Sequence, residues 1–239
     1  MSHRYFVDEL ISGSRVALDG PEAHHLIHVM RAAPGLRVVL FDGSGAEFPA
    51  VVQRVGRSKV ELAVLSGEQV DRELPFEVTL GVALPKGERQ KWLVEKAVEL
   101  GVTRIVPLRT QRGVAQPVKQ ALARLRRAVV EASKQCGRNR LLQIHQPQSW
   151  PEFVQSGSGA PCRLLAHPEG FHKVAHLPVP RDFPDRVLLA VGPEGGFADE
   201  EAALAVAAGW HTVDLGPRIL RVETAALLLV ATVVQRWAR

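Results

Sequence analysis

Two glycine-rich turns near the carboxyl end constrain the fold of this chain more than any other feature. The first is residues 192–197, GPEGGF, directly after the apolar run 187–191. The second opens with residues 215–218, LGPR, and leads into the apolar helical pattern of 222–237. Glycine lets a backbone approach a ligand closely and takes conformations that other residues avoid. We therefore expect ligand binding at both turns.

Strand-like and helix-like segments alternate from residue 76 onward. Strands are predicted at 76–84, 103–108, 162–166, 187–191 and 211–215, and helices at 88–100, 118–136, 198–208 and 222–237. Such alternation predicts an α/β fold, with a mostly parallel sheet between helices. Ligands of these sheets bind beyond the carboxyl ends of the strands, where both glycine-rich turns fall.

The first third of the chain has a different rhythm. It predicts short strands at 4–7, 15–18, 36–41, 46–55 and 58–65, with one helix at 21–30. Short strands at this spacing favour a small β-barrel. The polar segment 66–75 is interpreted as a linker, so we predict one domain over 1–72 and a second over 73–239.

Charge and composition restrict the function classes. The 239 residues carry a formal net charge of +5, and eight cations between Arg112 and Arg140 face the single acid Glu131. This excess suits a polyanion such as nucleic acid, or else a solvated helix face. The sequence has neither an apolar run of membrane-spanning length nor a signal-peptide pattern, so we predict a cytoplasmic protein without membrane contact.

Several familiar chemistries lack their signatures. The P-loop, the dinucleotide fingerprint, the serine nucleophile elbow and the HExxH zinc motif are all missing. His24 and His28 have helical spacing, as do His172 and His176, but neither pair has a carboxylate or cysteine at ligand spacing. We therefore predict no metal site.

The two turns, together with further motifs in order along the chain, resemble a known family. The motifs are His3–Phe6, His25–Val29 with Arg31, Lys86–Arg89, residues 96–101 and residues 131–138. The carboxyl-terminal blocks are similar to the signature of the knotted SPOUT methyltransferases. Within that class, the chain is most similar to the ribosomal RNA small subunit methyltransferase E family.

The resemblance implies a PUA-like RNA-binding β-barrel followed by a SPOUT-type parallel sheet with a carboxyl-terminal trefoil knot. It also implies a homodimer formed through the carboxyl-terminal domain, and S-adenosyl-L-methionine as cofactor. The implied reaction is methylation of N3 of one uridine in the decoding region of 16S rRNA, as free rRNA or in the small ribosomal subunit. The implied cofactor-binding residues are Ala166, Gly192, Pro193, Glu194, Gly195, Gly196, Leu215, Gly216, Ile219, Leu220, Thr224 and Ala225.

Methylation at a uracil N3 also requires that the nitrogen lose its proton. Glu223 and Glu194 are the candidate bases, while Arg221 and Arg138 are candidate cations that stabilise the uracil anion. The predicted contacts to rRNA phosphates are Arg4, Arg31, Lys86, Arg89, Arg112 and Arg138.

Two other functions fit the same residues. One is a different SPOUT RNA methyltransferase, acting on a ribose 2'-hydroxyl or on tRNA. The other is a non-catalytic RNA-binding protein of ribosome assembly. A local departure from the family pattern is Ala198, which stands where a helix-capping serine is usual. It should weaken that helix start by about 1 kcal/mol unless Asp199 substitutes.

Overall fold

The computed structural model describes residues 3–113, 119–156, 159–174, 177 and 184–237. The chain divides into two compact units. The first comprises Met1–Glu73 and Ser133–Leu141, and the second comprises Leu74–Ala132 and Leu142–Arg239. Val118, predicted as the first residue of a helix, lies outside the described residues.

The regular elements of the described residues follow the chain in this order. The strands are β1 (Arg4–Phe6), β2 (Arg15–Leu18), β3 (Arg37–Phe41), β4 (Ala46–Val55), β5 (Val60–Val64), β6 (Glu68–Gln69), β7 (Glu77–Val82), β8 (Arg104–Arg109), β9 (Gln143–Ile144), β10 (Gln148–Ser149), β11 (Cys162–Ala166), β12 (His172–Lys173), β13 (Arg186–Val191) and β14 (His211–Asp214). The α-helices are α1 (Gly20–His24), α2 (Glu88–Glu99), α3 (Lys119–Cys136), α4 (Trp150–Ser156), α5 (Asp199–Ala207) and α6 (Val222–Trp237).

The first unit contains a sheet with strand order β1-β3-β4-β5-β2, in which β6 also pairs with β4. Strand β1 is parallel to β3, and the other pairs are antiparallel. Alternate residues face a core that includes Tyr5, Leu26, Leu40 and Leu62. The predicted strands are confirmed, with ends shifted by at most two residues.

Two local features of the first unit differ from the sequence reading. The predicted helix at 21–30 consists of α1 and a π-helical turn, His25–Val29, which is closed by a hydrogen bond from Met30 N to His25 O. Arg31 follows with a φ of 48°, a left-handed conformation that is uncommon for a side chain with a Cβ. The segment interpreted as a linker contributes β6, because Glu68 and Gln69 pair with the start of β4.

The second unit contains a parallel sheet with strand order β10-β8-β7-β13-β11-β14-β12, in which β9 also pairs with β8. Strands β7 and β13 lie in its interior and are buried along nearly their whole length. Helices cover both faces of a parallel sheet, so the side chains on both faces of its interior strands are buried. The apolar sequences of these strands are therefore continuous rather than alternating. The predicted α/β fold class is thus confirmed.

Helices α5 and α6 of the second unit can be compared with the helix starts that the sequence predicts. Helix α6 has the predicted bounds and buries Val222, Ala226, Leu229 and Val233. At the start of α5, the Glu201 carboxylate accepts a hydrogen bond from Ala198 N at 2.9 Å. Glu201 therefore supplies its half of a capping box, while Ala198 has no side-chain oxygen to accept from the N–H groups of the first turn.

Helix α4 was not predicted, although its start carries a recognisable signal. Ser149 and Glu152 form a capping box in which Ser149 N donates to the Glu152 carboxylate at 2.8 Å. Pro151 suits the first turn, where its missing N–H costs nothing. None of the helices in the described part of the chain combines the length and apolarity that a bilayer crossing requires.

Candidate functional site

Three loops share one edge of the parallel sheet. Strands β13, β11 and β14 are neighbours and run in parallel, so their carboxyl ends open onto the same edge. The loops that follow them are 192–197, 167–170 and 215–220. The fold therefore brings both glycine-rich turns onto one edge, together with the loop after Ala166, which is the last residue of β11. Thr224 and Ala225 lie nearby in sequence, in the first turn of α6.

The turn 192–197 is anchored at both ends. Gly192 lies at the end of β13, where an added Cβ would come within 2.9 Å of the Phe197 ring. Phe197 packs on Trp150 with ring centroids 4.4 Å apart. Gly196 has a φ of 70°, and its N–H donates to Pro193 O at 2.8 Å. The anchored ends leave Glu194 and Gly195 exposed between them.

Arg112 holds this turn from the side. Its Nη1 donates to Gly195 O at 3.0 Å and to Phe197 O at 3.3 Å. The backbone beside it is fixed by Glu201, whose carboxylate accepts from Gln111 N at 2.9 Å. Sequence reasoning assigned Arg112 to phosphate binding and missed Glu201. The assignment of Arg112 to RNA stays a prediction, while its contacts in the structure are with the turn.

The loop 215–220 begins with a local hydrogen bond. Gly216 has a φ of 118°, and its N–H donates to Asp214 Oδ1 at 2.7 Å. An ion pair with Lys173 and this backbone donor hold the pKa of Asp214 below its usual value. Aspartate two residues before glycine is a recognised turn signal, so the sequence could have indicated this role. Further along, Ile219 is 96% exposed.

The loop 167–170 lies directly against the backbone of β14. His167 N donates to Val213 O at 2.9 Å. At Gly170, an added Cβ would lie 2.2 Å from Asp214 N and 2.3 Å from Val213 C. Backbone meets backbone there, so only glycine fits.

A cleft opens beside the glycine-rich turn, at the carboxyl ends of β7 and β13. Its volume is about 180 Å³. The lining residues are Ala83, Leu84, Pro85, Lys86, Arg89, Gly113, Pro193 and Glu194. Among them, Lys86 and Arg89 were predicted as RNA contacts, and Pro193 and Glu194 as cofactor contacts. The cleft therefore brings two predicted RNA contacts and two predicted cofactor contacts together.

Arg89 connects the two candidate bases. Its Nη1 lies 3.5 Å from Glu194 Oε1 and 3.7 Å from Glu223 Oε2. The Glu223 side chain is only 8% exposed, at the start of α6. Within the described residues, its Oε2 accepts no hydrogen bond. Arg221, predicted to stabilise the uracil anion, is exposed immediately before the helix.

The other predicted cations belong to the first unit. Arg138 is 4% exposed and binds Glu73 with Nε at 2.9 Å and Nη2 at 2.6 Å. The Arg4 side chain is 8% exposed, and its Nη1 lies 2.8 Å from Glu47 Oε2. Arg31 is exposed. The catalytic role of Arg138 and the RNA contacts of Arg4 and Arg31 stay predictions.

Glu47 receives a second cation, Arg72, at 3.0 Å. Burial alone would raise the pKa of Glu47, but the hydrogen bonds from Arg72 and Arg4 outweigh it and lower the pKa below its usual value.

A metal site would need several ligating side chains close together. In the described ranges, no group of three or more His, Cys, Asp or Glu side chains could hold a metal ion.

Two family models match the chain. An RNA methyltransferase domain matches residues 72–234, and an RNA methyltransferase PUA domain matches residues 18–65. Together with the parallel sheet and its loop-lined edge, these matches define the class of the protein as an RNA methyltransferase with a PUA domain.

Individual relatives narrow that class. The ribosomal RNA small subunit methyltransferase E of Synechocystis is 33% identical, over 98% of this chain and 77% of the relative. The solved structure of the Neisseria gonorrhoeae enzyme of the same name, bound to S-adenosyl methionine, is 31% identical with a TM-score of 0.88, covering 99% of this chain and 98% of that one. A methyltransferase from Legionella pneumophila with bound SAM is 33% identical with a TM-score of 0.88, covering 98% of both chains. The chain belongs to the ribosomal RNA small subunit methyltransferase E family.

Proposed function

We propose that this protein transfers a methyl group from S-adenosyl-L-methionine to N3 of one uridine in the decoding region of 16S rRNA. The observation that carries the proposal is the buried carboxylate of Glu223, which lies within ion-pair distance of a cation lining a cleft beside the glycine-rich turn. Membership in the family supports rRNA of the small subunit as the substrate. Two relatives bind the same cofactor.

The loop-lined edge suits that cofactor. Beside Gly196 and Gly216, the space that a Cβ would occupy has no atom of the described residues within 4 Å apart from the adjacent residues of the chain, so a ligand can approach both backbones. The 96% exposed side chain of Ile219 offers an apolar surface for an adenine ring. We assign cofactor binding to these loops, with Thr224 and Ala225 at the start of α6 completing the predicted set.

The chain supplies positioning and proton transfer. When bound, S-adenosyl-L-methionine supplies a methyl group on a positively charged sulfur, and this needs an acceptor placed in line. The cleft beside Pro193 and Glu194 is a suitable place for the target uracil. Glu223 Oε2 takes the N3 proton, so that the nitrogen lone pair is free to form the bond to the methyl carbon as the carbon–sulfur bond breaks. Glu223 then releases the proton to water.

The remaining roles follow from the resemblance. We propose that residues 1–72 form the RNA-binding domain and residues 73–239 the methyltransferase domain, with 133–141 returning to the first unit. Arg4, Arg31, Lys86, Arg112 and Arg138 remain the proposed RNA contacts. We also propose that the second unit carries a trefoil knot and that the protein acts in the cytoplasm.

Homodimer formation is proposed through the second unit. The apolar helix α6 leaves Leu228 37% exposed, so a partner subunit would bury further apolar surface there. Sedimentation equilibrium tests this: a monomer at micromolar concentration would contradict the proposed dimer.

The reaction is tested with small subunits from cells that lack this protein. The purified protein and labelled cofactor should introduce one methyl group, and mass spectrometry of the nucleosides should identify N3-methyluridine. A methyl group on a ribose 2'-hydroxyl or in tRNA would instead support a different SPOUT activity. Binding of RNA without binding of the cofactor in calorimetry would support a non-catalytic assembly role.

A further inference from the structure

We propose that Arg89 positions the proton-accepting carboxylate of Glu223, rather than contacting an rRNA phosphate. The inference rests on the proposed function, because it names a residue that serves the proposed base. Arg89 comes from the first turn of α2, Glu223 from the first turn of α6 and Glu194 from the glycine-rich turn. One guanidinium nitrogen therefore bridges two carboxylates from separate elements, at 3.5 Å and 3.7 Å.

The two carboxylates depend on Arg89 to different degrees. The Glu194 side chain is 55% exposed, so water can solvate its charge without a partner. The Glu223 side chain is 8% exposed, and a buried carboxylate without a cation is strongly unfavourable. Removal of Arg89 should therefore displace the Glu223 carboxylate while changing Glu194 little.

The geometry also leaves Glu223 able to react. A separation of 3.7 Å is an ionic contact and too long for a hydrogen bond. Glu223 Oε2 is buried and accepts no hydrogen bond from the described residues, so its capacity to accept a proton is not used within the protein. Arg89 thus holds the carboxylate by charge without donating a hydrogen bond to the oxygen that takes the proton.

The bridge has a second consequence for binding. A phosphate bound to Arg89 would bring a further negative charge close to the buried Glu223 carboxylate, which is electrostatically unfavourable. Lys86 lines the same cleft and is exposed, so it is the better candidate for the phosphate contact on this wall.

The test compares Arg89→Gln, Arg89→Lys, Glu223→Gln and the Arg89→Gln/Glu223→Gln double variant in methyl transfer to unmethylated small subunits. Lys91→Gln is the matched control, because Lys91 is an exposed cation of α2 that pairs with Glu95 at 3.7 Å. Lys86→Gln is the reference for loss of a phosphate contact. Melting curves and calorimetric cofactor binding are recorded for each variant.

We expect Arg89→Gln to lower kcat about 30-fold with KM changed by less than about 3-fold, as for a group that acts on the chemical step. Arg89→Lys should stay within about 5-fold of the wild type because it keeps a cation. In the Glu223→Gln background, Arg89→Gln should lower kcat by less than about a further 3-fold, because Glu223→Gln already removes the carboxylate that Arg89 positions. The control should match the wild type.

Two results would overturn the proposal. The first is an effect of Arg89→Gln on KM alone, together with a weaker salt dependence of RNA binding. If the slope of the logarithm of the binding constant against the logarithm of the salt concentration fell by about 1, as for Lys86→Gln, Arg89 would be a phosphate contact. The second is a double variant whose loss of kcat equals the product of the two single losses, because independent groups would behave in this way. If the glutamine variant does not fold, a kcat of Arg89→Lys as low as that of Glu223→Gln counts against the role. Failure of the proposed function would look different, since the wild type itself would then yield no N3-methyluridine.

Discussion

Loss of Arg112 should weaken cofactor binding, because this side chain fixes the turn that lines the proposed site. Arg112→Ala removes two hydrogen bonds, at 3.0 Å to Gly195 O and 3.3 Å to Phe197 O. A charged donor in a hydrogen bond contributes about 1.5 to 3 kcal/mol when it is sheltered. Arg112 is exposed, so we assign about 1 to 2 kcal/mol to the two contacts together. This energy corresponds to a Kd for S-adenosyl-L-methionine raised by about 5- to 30-fold.

Calorimetry with the isolated protein is the suitable assay, because the absence of RNA separates this effect from any phosphate contact of Arg112. Arg112→Lys should recover part of the affinity, since an ammonium can still donate to one carbonyl. Arg109→Ala is the control: Arg109 is an exposed neighbour that pairs with Glu152 at 3.7 Å. A folded Arg112→Ala variant with the wild-type Kd would refute the reasoning.

Three further outcomes are expected. The pKa of Glu47 is lowered in the folded state, so ionised Glu47 stabilises the fold above its usual pKa of 4.5, and this stabilisation is lost as the pH falls below that value. Glu47→Gln should therefore make the free energy of unfolding depend less on pH in this acid range, and an unchanged dependence would contradict this. Gly81→Ala places a Cβ 2.5 Å from the Phe153 ring and should cost about 1 to 3 kcal/mol in denaturant unfolding, with Phe153→Leu restoring part of the loss. Burial raises the pKa of the Cys162 thiol to about 12, so at pH 8 a thiol reagent should label the exposed Cys136 first; equal rates would count against that burial.

The regular elements of the second unit were largely predictable from sequence. Apolar runs of strand length and the nearly all-apolar helix 222–237 are set by local pattern, and α6 has the predicted bounds. Short elements were missed because two residues, as in β9 or β12, carry no periodicity. Helix α4 was missed for another reason, since the Ser149 and Glu152 capping signal was present but not used.

The candidate site was predictable as a set of loops and less so as a set of contacts. The glycine-rich turns follow strand ends, and the topology of a parallel sheet places such loops at one edge. The partners of Arg89, Arg112 and Arg138 lie far away in sequence. A cation's sequence context does not show whether a carboxylate, a carbonyl or a phosphate will meet it. All three were therefore assigned by charge alone.

The return of residues 133–141 to the first unit limits how this protein can be divided. The chain crosses between its two units three times, so no single cut separates them. A fragment ending at Glu73 would lack Arg138, and the carboxylate that this arginine binds would lose its partner. A continuous fragment that keeps all of the first unit must therefore also carry residues 74–132 of the second.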